Sequence, residues 1–304
     1  ALLSLEAHAV YDGDYGVNMK LSKEEAYSLK LNTRQTRRYY DGSAEAWNPA
    51  PYGLGTEKAD AEDGHIYADR TDTEVEYAVK MDNFPDITVG YTRWSRDGQQ
   101  RLLRGEDAAQ TGLDTLRSTP TVADINGVSD KVFVQLSEQI NEKHNVAIKQ
   151  QLEIYHDDQI IRAGRYTNGA LKEQRNYEDE LKFQESLTQA SYNSFITEKT
   201  YLATNYLFQD LKNRSTRKEF RPISNFLPAT GTTLNQFTKP ETDNERKSNI
   251  LNLGLVNMDG LIKDLRVGFN TRFEKADTDV AGEGYKGGTT FRQAESDQSE
   301  YQYA

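Results

Sequence analysis

Apolar and polar residues alternate along this chain in stretches of about ten, the spacing of strands that are apolar on one face and wet on the other. Leu265, Val267, Phe269, Thr271 and Phe273 take the odd positions of one stretch; Arg266, Gly268, Asn270, Arg272 and Glu274 take the even ones. The same period runs through 15–22, 27–34 and 74–81. It returns in 131–137, where Phe133 breaks the rule, and in 146–154, where Gln150 does. Leu181, Phe183 and Leu187 oppose Lys182, Gln184 and Ser186; Leu202, Tyr206 and Phe208 share a face, as do Leu251, Leu253 and Leu255. Roughly a dozen strands are expected from these runs.

The punctuation between runs is of two kinds. Short, turn-forming segments fall at 12–14, 22–25, 82–86, 140–145, 189–193 and 257–260. Long links cover about 35–65, 95–128, 156–176, 212–247 and 275–290. Two adjacent short turns near the N-terminus break an otherwise regular alternation of short and long. Short turns on one rim and long loops on the other are what a transmembrane barrel requires.

Composition narrows the choice. The chain has 304 residues, only 36% of them hydrophobic, and a mean hydropathy of −0.83. That is low against the usual ~45–50% apolar content of a globular domain. Yet 10% of residues are aromatic, eighteen of them tyrosines, which argues against wholesale disorder. No apolar run approaches the ~18 residues of a membrane helix, so a spanning structure must be a closed barrel. Tyr15, Tyr39, Tyr40, Tyr91, Trp94, Tyr155, Tyr192, Tyr201 and Tyr206 lie near the expected strand ends and read as interfacial girdles. The fold expected is all-β: an antiparallel transmembrane β-barrel with short periplasmic turns and long extracellular loops. Residues 1–304 are expected to form a single domain that is part of a larger barrel, with 296–303 a strand entered but not completed.

The polar strand face is the candidate functional surface. Lys20, Lys30, Arg34, Glu74, Glu76, Lys80, Lys131, Lys149, Glu153, Lys182, Arg266, Arg272 and Glu274 are expected to line a lumen. There they form stiffening ladders, hold a plug, or set channel selectivity. The net charge of −11 argues against nucleic acid as a partner. The acidic run 57–63 is read as a solvated loop, with divalent-cation binding as the rarer use. There is no cysteine, so no disulfide and no thiolate metal site. His8, His65, His144 and His156 are isolated along the chain, and no catalytic motif is present, so no enzyme is expected. The Asp124–Asp130 segment has the oxygen-rich spacing of a calcium loop without its downstream glutamate and reads as a turn.

Three passages resemble a group of bacterial outer-membrane barrels of the MtrB/PioB type, which sheathe multihaem cytochromes. They are Gly13-Asp14-Tyr15 leading through Tyr27-Ser28-Leu29 to Arg37-Arg38-Tyr39-Tyr40-Asp41-Gly42; Phe84-Pro85-Asp86-Ile87-Thr88-Val89-Gly90-Tyr91 ending in Ser95-Arg96-Asp97-Gly98; and the rhythm of short turns and long charged loops through residue 275. The resemblance implies a passive conduit in the outer membrane that contacts lipid and sheathes a partner cytochrome in electron transfer. The chain departs from those barrels in lacking the N-terminal cysteine pair they often carry, and without a Cys-x-x-Cys-His motif it cannot attach c-type haem, so the resemblance implies that any haem sits in the partner. A diffusion porin for small polar solutes and an extracellular β-rich adhesion protein are the alternatives.

Overall fold

The computed structural model describes residues 1–11, 13–24, 26–41, 66–82, 84–105, 118–167, 170–221, 236–258, 266–286 and 289–303. They form twelve strands: β1 (Leu2–Tyr11), β2 (Asp14–Lys23), β3 (Tyr27–Asp41), β4 (Ile66–Met81), β5 (Phe84–Gly105), β6 (Ser118–Asn141), β7 (His144–Thr167), β8 (Ala170–Thr197), β9 (Thr200–Arg221), β10 (Gln236–Met258), β11 (Arg266–Lys286) and β12 (Thr289–Tyr303). Each pairs antiparallel with its neighbours in chain order, giving one meander whose two edges are β1 and β12. The protein is all-β and antiparallel, with no helix among the described residues.

Because facing partners in a ladder share a side, the register sorts the side chains into two faces. Face one carries the row Leu31, Val75, Tyr91, Val132 and Leu152, and the row Leu29, Tyr77, Val89 and Val134 beside it. On the far strands it carries Leu202, Leu255 and Phe269. These residues make a belt close to the rim of the short β2–β3, β4–β5, β6–β7 and β8–β9 turns. The belt is open: Val134 is 49% exposed, Ile148 50% and Phe269 64%. Face two behind it carries Lys30, Glu76, Gln151, Gln209 and Ser248.

Polarity reverses toward the opposite rim. Face one becomes a row of Asp69, Asp97, Asn126, Asp158 and Glu180. Face two there buries Ile66, Ala68, Ala123, Ile125, Ile161 and Tyr177, the principal apolar core of the described residues. Strand length exposes this change: β8 has 28 residues, about 90 Å of extended chain, against the ~9–11 residues of a membrane strand.

Several expected boundaries move. The 189–193 turn lies inside β8, where Ser191 and Asn193 pair with Asn205 and Ala203 and Tyr192 bonds to His144 Nδ1 at 2.8 Å. The reversal comes at 198–199, where Thr197 Oγ1 accepts from the Lys199 amide. Much of the expected long links at 95–128, 156–176, 212–247 and 275–290 is strand, as is 35–41. The hydrophobic alternation fades there because face one is charged, while the backbone ladder continues, with register shifts at Arg165/Tyr166 and Gly284/Tyr285. The Asp124–Asp130 segment is likewise part of β6. β12 is paired with β11 from Thr289 to Tyr303. The segments 42–65, with the acidic run 57–63 and His65, and 259–265 lie outside the described residues. The odd short turn after β1 is resolved by topology: it sits on the same rim as the β3–β4 and β5–β6 connections. Gly13 supplies the positive φ of 84° that this turn needs.

Gly98 is the tightest backbone position. Its φ is +128°, and a Cβ there would stand 2.4 Å from the Tyr67 carbonyl oxygen. Gly98→Ala is expected to cost roughly 1–3 kcal/mol in urea unfolding. The control Gly268→Ala, whose Cβ meets nothing nearer than 3.9 Å, should leave the midpoint unchanged.

Candidate functional site

Face two gathers most of the charged residues expected to act together. Lys20, Lys30, Arg34, Glu74, Glu76, Lys149, Glu153, Arg272 and Glu274 stand on it, with Lys131, while Lys80 falls at the register shift between Val79 and Met81. The side chain of Arg266 lies outside the described residues. Lys182 differs: the register sets it on face one between His156 and Arg214, and Phe183 on face two. The alternation around 181–187 was legible, but not its sense. Phe183 takes the polar side because Tyr155 of the adjacent strand offers it a ring to stack on, at 4.9 Å.

Cross-strand pairing organises face two. Lys30 Nζ meets Glu76 Oε1 at 2.6 Å, and Lys131 meets Glu153 at 2.9 Å, with Ser129 donating to the same carboxylate at 2.7 Å. Glu274 accepts from Arg272 at 2.7 Å and faces Arg246 at 3.5 Å. Gln209 donates to Glu185. Phe133, the exception to its strand's alternation, lies against Gly90, where an added Cβ would come within 2.1 Å of the ring. Lys149 Nζ sits 4.3 Å from the centre of that ring. Gln150, the other exception, is satisfied on face one by Ser186 and Thr188.

At the upper border of the apolar belt, one lateral row of face two runs Trp94, Ser129, Tyr155, Phe183, Asn213, Asn244, Val280. Its rings are stacked: Trp94 on Tyr155 at 6.0 Å and 25°, Tyr155 on Phe183 at 21°. Trp94 and Tyr155 meet across β6 because that strand presents only Gly127 and Ser129 beneath them. Arg70 lies 5.8 Å from the Trp94 ring. A recess of about 680 Å³ spans β7 to β11 at this level, and its walls, Ile154 and His156, Gln184 and Lys182, Lys212 and Arg214 among them, belong to face one. In the face-two row itself Asn213 Oδ1 and Asn244 Oδ1 are buried with no hydrogen-bond partner. Trp94, Tyr155, Tyr40 and Tyr201 therefore do not share the face of Tyr15, Tyr39, Tyr91, Tyr192 and Tyr206, although all nine were expected in girdles.

Face one carries its own charge clusters above the belt. His156, Asp158 and Glu180 offer three ligand atoms within 4.8 Å of one another, a grouping hidden in sequence because Glu180 arrives from the next strand. The Lys182 ammonium already pairs with Glu180. That bond holds the Glu180 carboxyl below its ordinary range. Lys247, then Lys212, does the same for Glu245; the Ser299 hydroxyl, then Lys275, does so for Asp277. Arg37 grips Asp69 through two bonds of 2.7 and 2.8 Å, which raises the arginine further.

Fold and faces define a class: an all-β antiparallel wall with an exposed apolar belt on one face and paired charges on the other. No protein-family model matches the chain, and no curated protein matches it in sequence. The MtrB/PioB-type resemblance thus has no family model behind it. Among solved structures the chain is similar to the CymD monoaromatic hydrocarbon channel, with a TM-score of 0.32 and 8% identity over 98% of this chain and 84% of that one. A likeness of that degree carries no argument about this chain's ligands.

The depressed carboxyls set a pH prediction. A carboxyl whose pKa falls on folding contributes stability above its unfolded value, and that stability is lost as pH falls through the folded value. The thermal midpoint followed by circular dichroism should be flat between about pH 7 and pH 5 and drop below about pH 4. Glu180→Gln should flatten part of that drop.

Proposed function

We propose that this chain builds the wall of an outer-membrane β-barrel that acts as a passive conduit. The observation that carries the reading is the open apolar belt on face one, backed by charged and amide side chains on face two. A soluble sandwich would bury such a belt against a second sheet. A bilayer accepts it, provided the backbone is fully paired and the sheet closes. Several strands keep the belt for about nine residues, 146–154 on β7 for example, which suits a hydrocarbon core crossed by tilted strands. The turns beside the belt are then periplasmic, and the strands rise outside the cell beyond it. There face one meets water, which accounts for its acidic row. Face two lines the lumen.

Two finer readings follow. As a sheath, the barrel insulates a multihaem cytochrome for electron transfer; the sequence resemblance supports this. As a porin, it passes small solutes; the charged and amide side chains of face two support that. Neither needs a catalytic group. The visible spectrum of the detergent-extracted complex separates them: stoichiometric reduced-haem bands favour the sheath, while a colourless preparation with bilayer conductance favours the porin. Recovery in the soluble fraction without detergent overturns the membrane reading and leaves the extracellular β-rich protein.

The belt itself is tested by adjacent substitutions. Val134→Arg places a charge in hydrocarbon and should cost roughly 2–4 kcal/mol. Gln135→Arg, one residue on and facing the lumen, should be tolerated. The readout is the yield of heat-modifiable, membrane-inserted protein, and equal yields would refute the assignment of faces.

A further inference from the structure

We infer that a second recess, on face two between β8 and β11, binds a small hydroxylated carboxylate of the kind a hexuronate represents. The inference rests on the conduit reading, in which face two is the path of the solute.

Two lateral rows of face two build this recess. One runs Asn193, Ala203, Gly254, Asn270; the next runs Ser191, Asn205, Asn252, Arg272. Ala203 and Gly254 carry the smallest side chains, so the floor is lowest over them. An added Cβ at Gly254 would stand 2.9 Å from Asn270 Oδ1 and 3.8 Å from the Ala203 side chain. The hollow they leave is about 550 Å³, within the ~300–1,000 Å³ usual for small-molecule sites. Thr204, Leu253 and Thr271 border it too, but they alternate with these residues along their strands, so they offer it main chain and turn their side chains to face one. Leu202, Leu255 and Phe269 of the belt stand on that outer side, which sets the recess at the depth of the hydrocarbon.

The side chains that reach the hollow select the guest. Asn193 and Asn252 are half-buried and Asn270 and Arg272 exposed, whereas Asn205 keeps its Oδ1 buried in the floor. A carboxamide both donates and accepts, and so does each hydroxyl of a polyol, so the amides suit a hydroxylated guest. Arg272 is the one charged residue lining the recess among the described residues. It donates to Glu274 at 2.7 Å, but Glu274 also faces Arg246 at 3.5 Å. The row that holds Glu274, with Gln189, Leu207 and Ile250, adds no other charge. Two guanidiniums around one carboxylate leave a positive charge over, and Arg272 keeps further N–H donors for a second carboxylate. Hydroxyls over the amides and a carboxylate on Arg272 satisfy both.

The test is a saturation-transfer NMR titration of the detergent-folded chain with glucuronate and with glucose, which shares the hydroxylated ring and lacks the carboxylate. Glucuronate should bind saturably and at least tenfold tighter than glucose. Arg272→Gln should bring the two within twofold by weakening glucuronate while leaving glucose unchanged. The double variant Asn252→Leu/Asn270→Leu should weaken both sugars tenfold or more. Gln151→Leu, which removes a face-two amide outside the recess, should weaken neither. Circular dichroism checks that each variant is folded. Glucuronate no tighter than glucose, or a folded Arg272→Gln variant that keeps the preference, would overturn the site. Conductance measured in parallel keeps the two readings apart: a conducting chain with no preference for glucuronate loses the site and keeps the conduit. A chain that shows the preference and its dependence on Arg272 but does not conduct keeps the site and loses the conduit.

Discussion

Everything in this molecule depends on the register of its antiparallel ladders. A strand side chain has a period of two, so a slip of one residue between neighbours would transfer a whole strand to the wrong face. From β2 to β11 the pairing holds long rows in line, and a row changes character along its length: that of Leu31 and Leu152 continues as Ser186, Asp210, Lys247 and Asp277. One row joins Leu31 to Val75, Tyr91, Val132 and Leu152; another joins Trp94 through Tyr155 and Phe183 to Val280. The ion pairs of face two follow from the same alignment, since Lys30 opposes Glu76 and Lys131 opposes Glu153 across a ladder.

The ladder also lets one strand serve two environments. Near the short turns, face one is apolar and face two charged; toward the other rim, face one is acidic and face two buries Ile66, Ala123, Ile125 and Ile161. No change of backbone geometry is needed, because reversing which parity is apolar reverses the faces. Small residues mark the close approaches: Gly90 admits Phe133, and Gly127 with Ser129 lets two rings meet over β6.

The belt was readable because alternation is a local property. Val132, Val134 and Leu136 declare a face within five residues, and the register agrees with them. The upper strand segments were not readable in the same way. Around 156–167 both parities carry polar or charged residues, so the period of two loses its contrast and the segment looks like a loop. Ser191, Tyr192 and Asn193 looked like a turn because their side chains favour one, but pairing on both sides holds them extended.

By itself the sequence determined the all-β class, the order of the alternating runs and most members of the charged face, because each depends on residues within one strand. The tertiary structure decided what depends on neighbouring strands. It set Lys182 on face one and Phe183 on face two, since a ring on β7 was there to meet it. It brought His156 and Asp158 to Glu180, and it left two asparagine oxygens unpartnered at the end of an aromatic stack. These are lateral relations between residues far apart in the chain, and only the pairing of strands creates them.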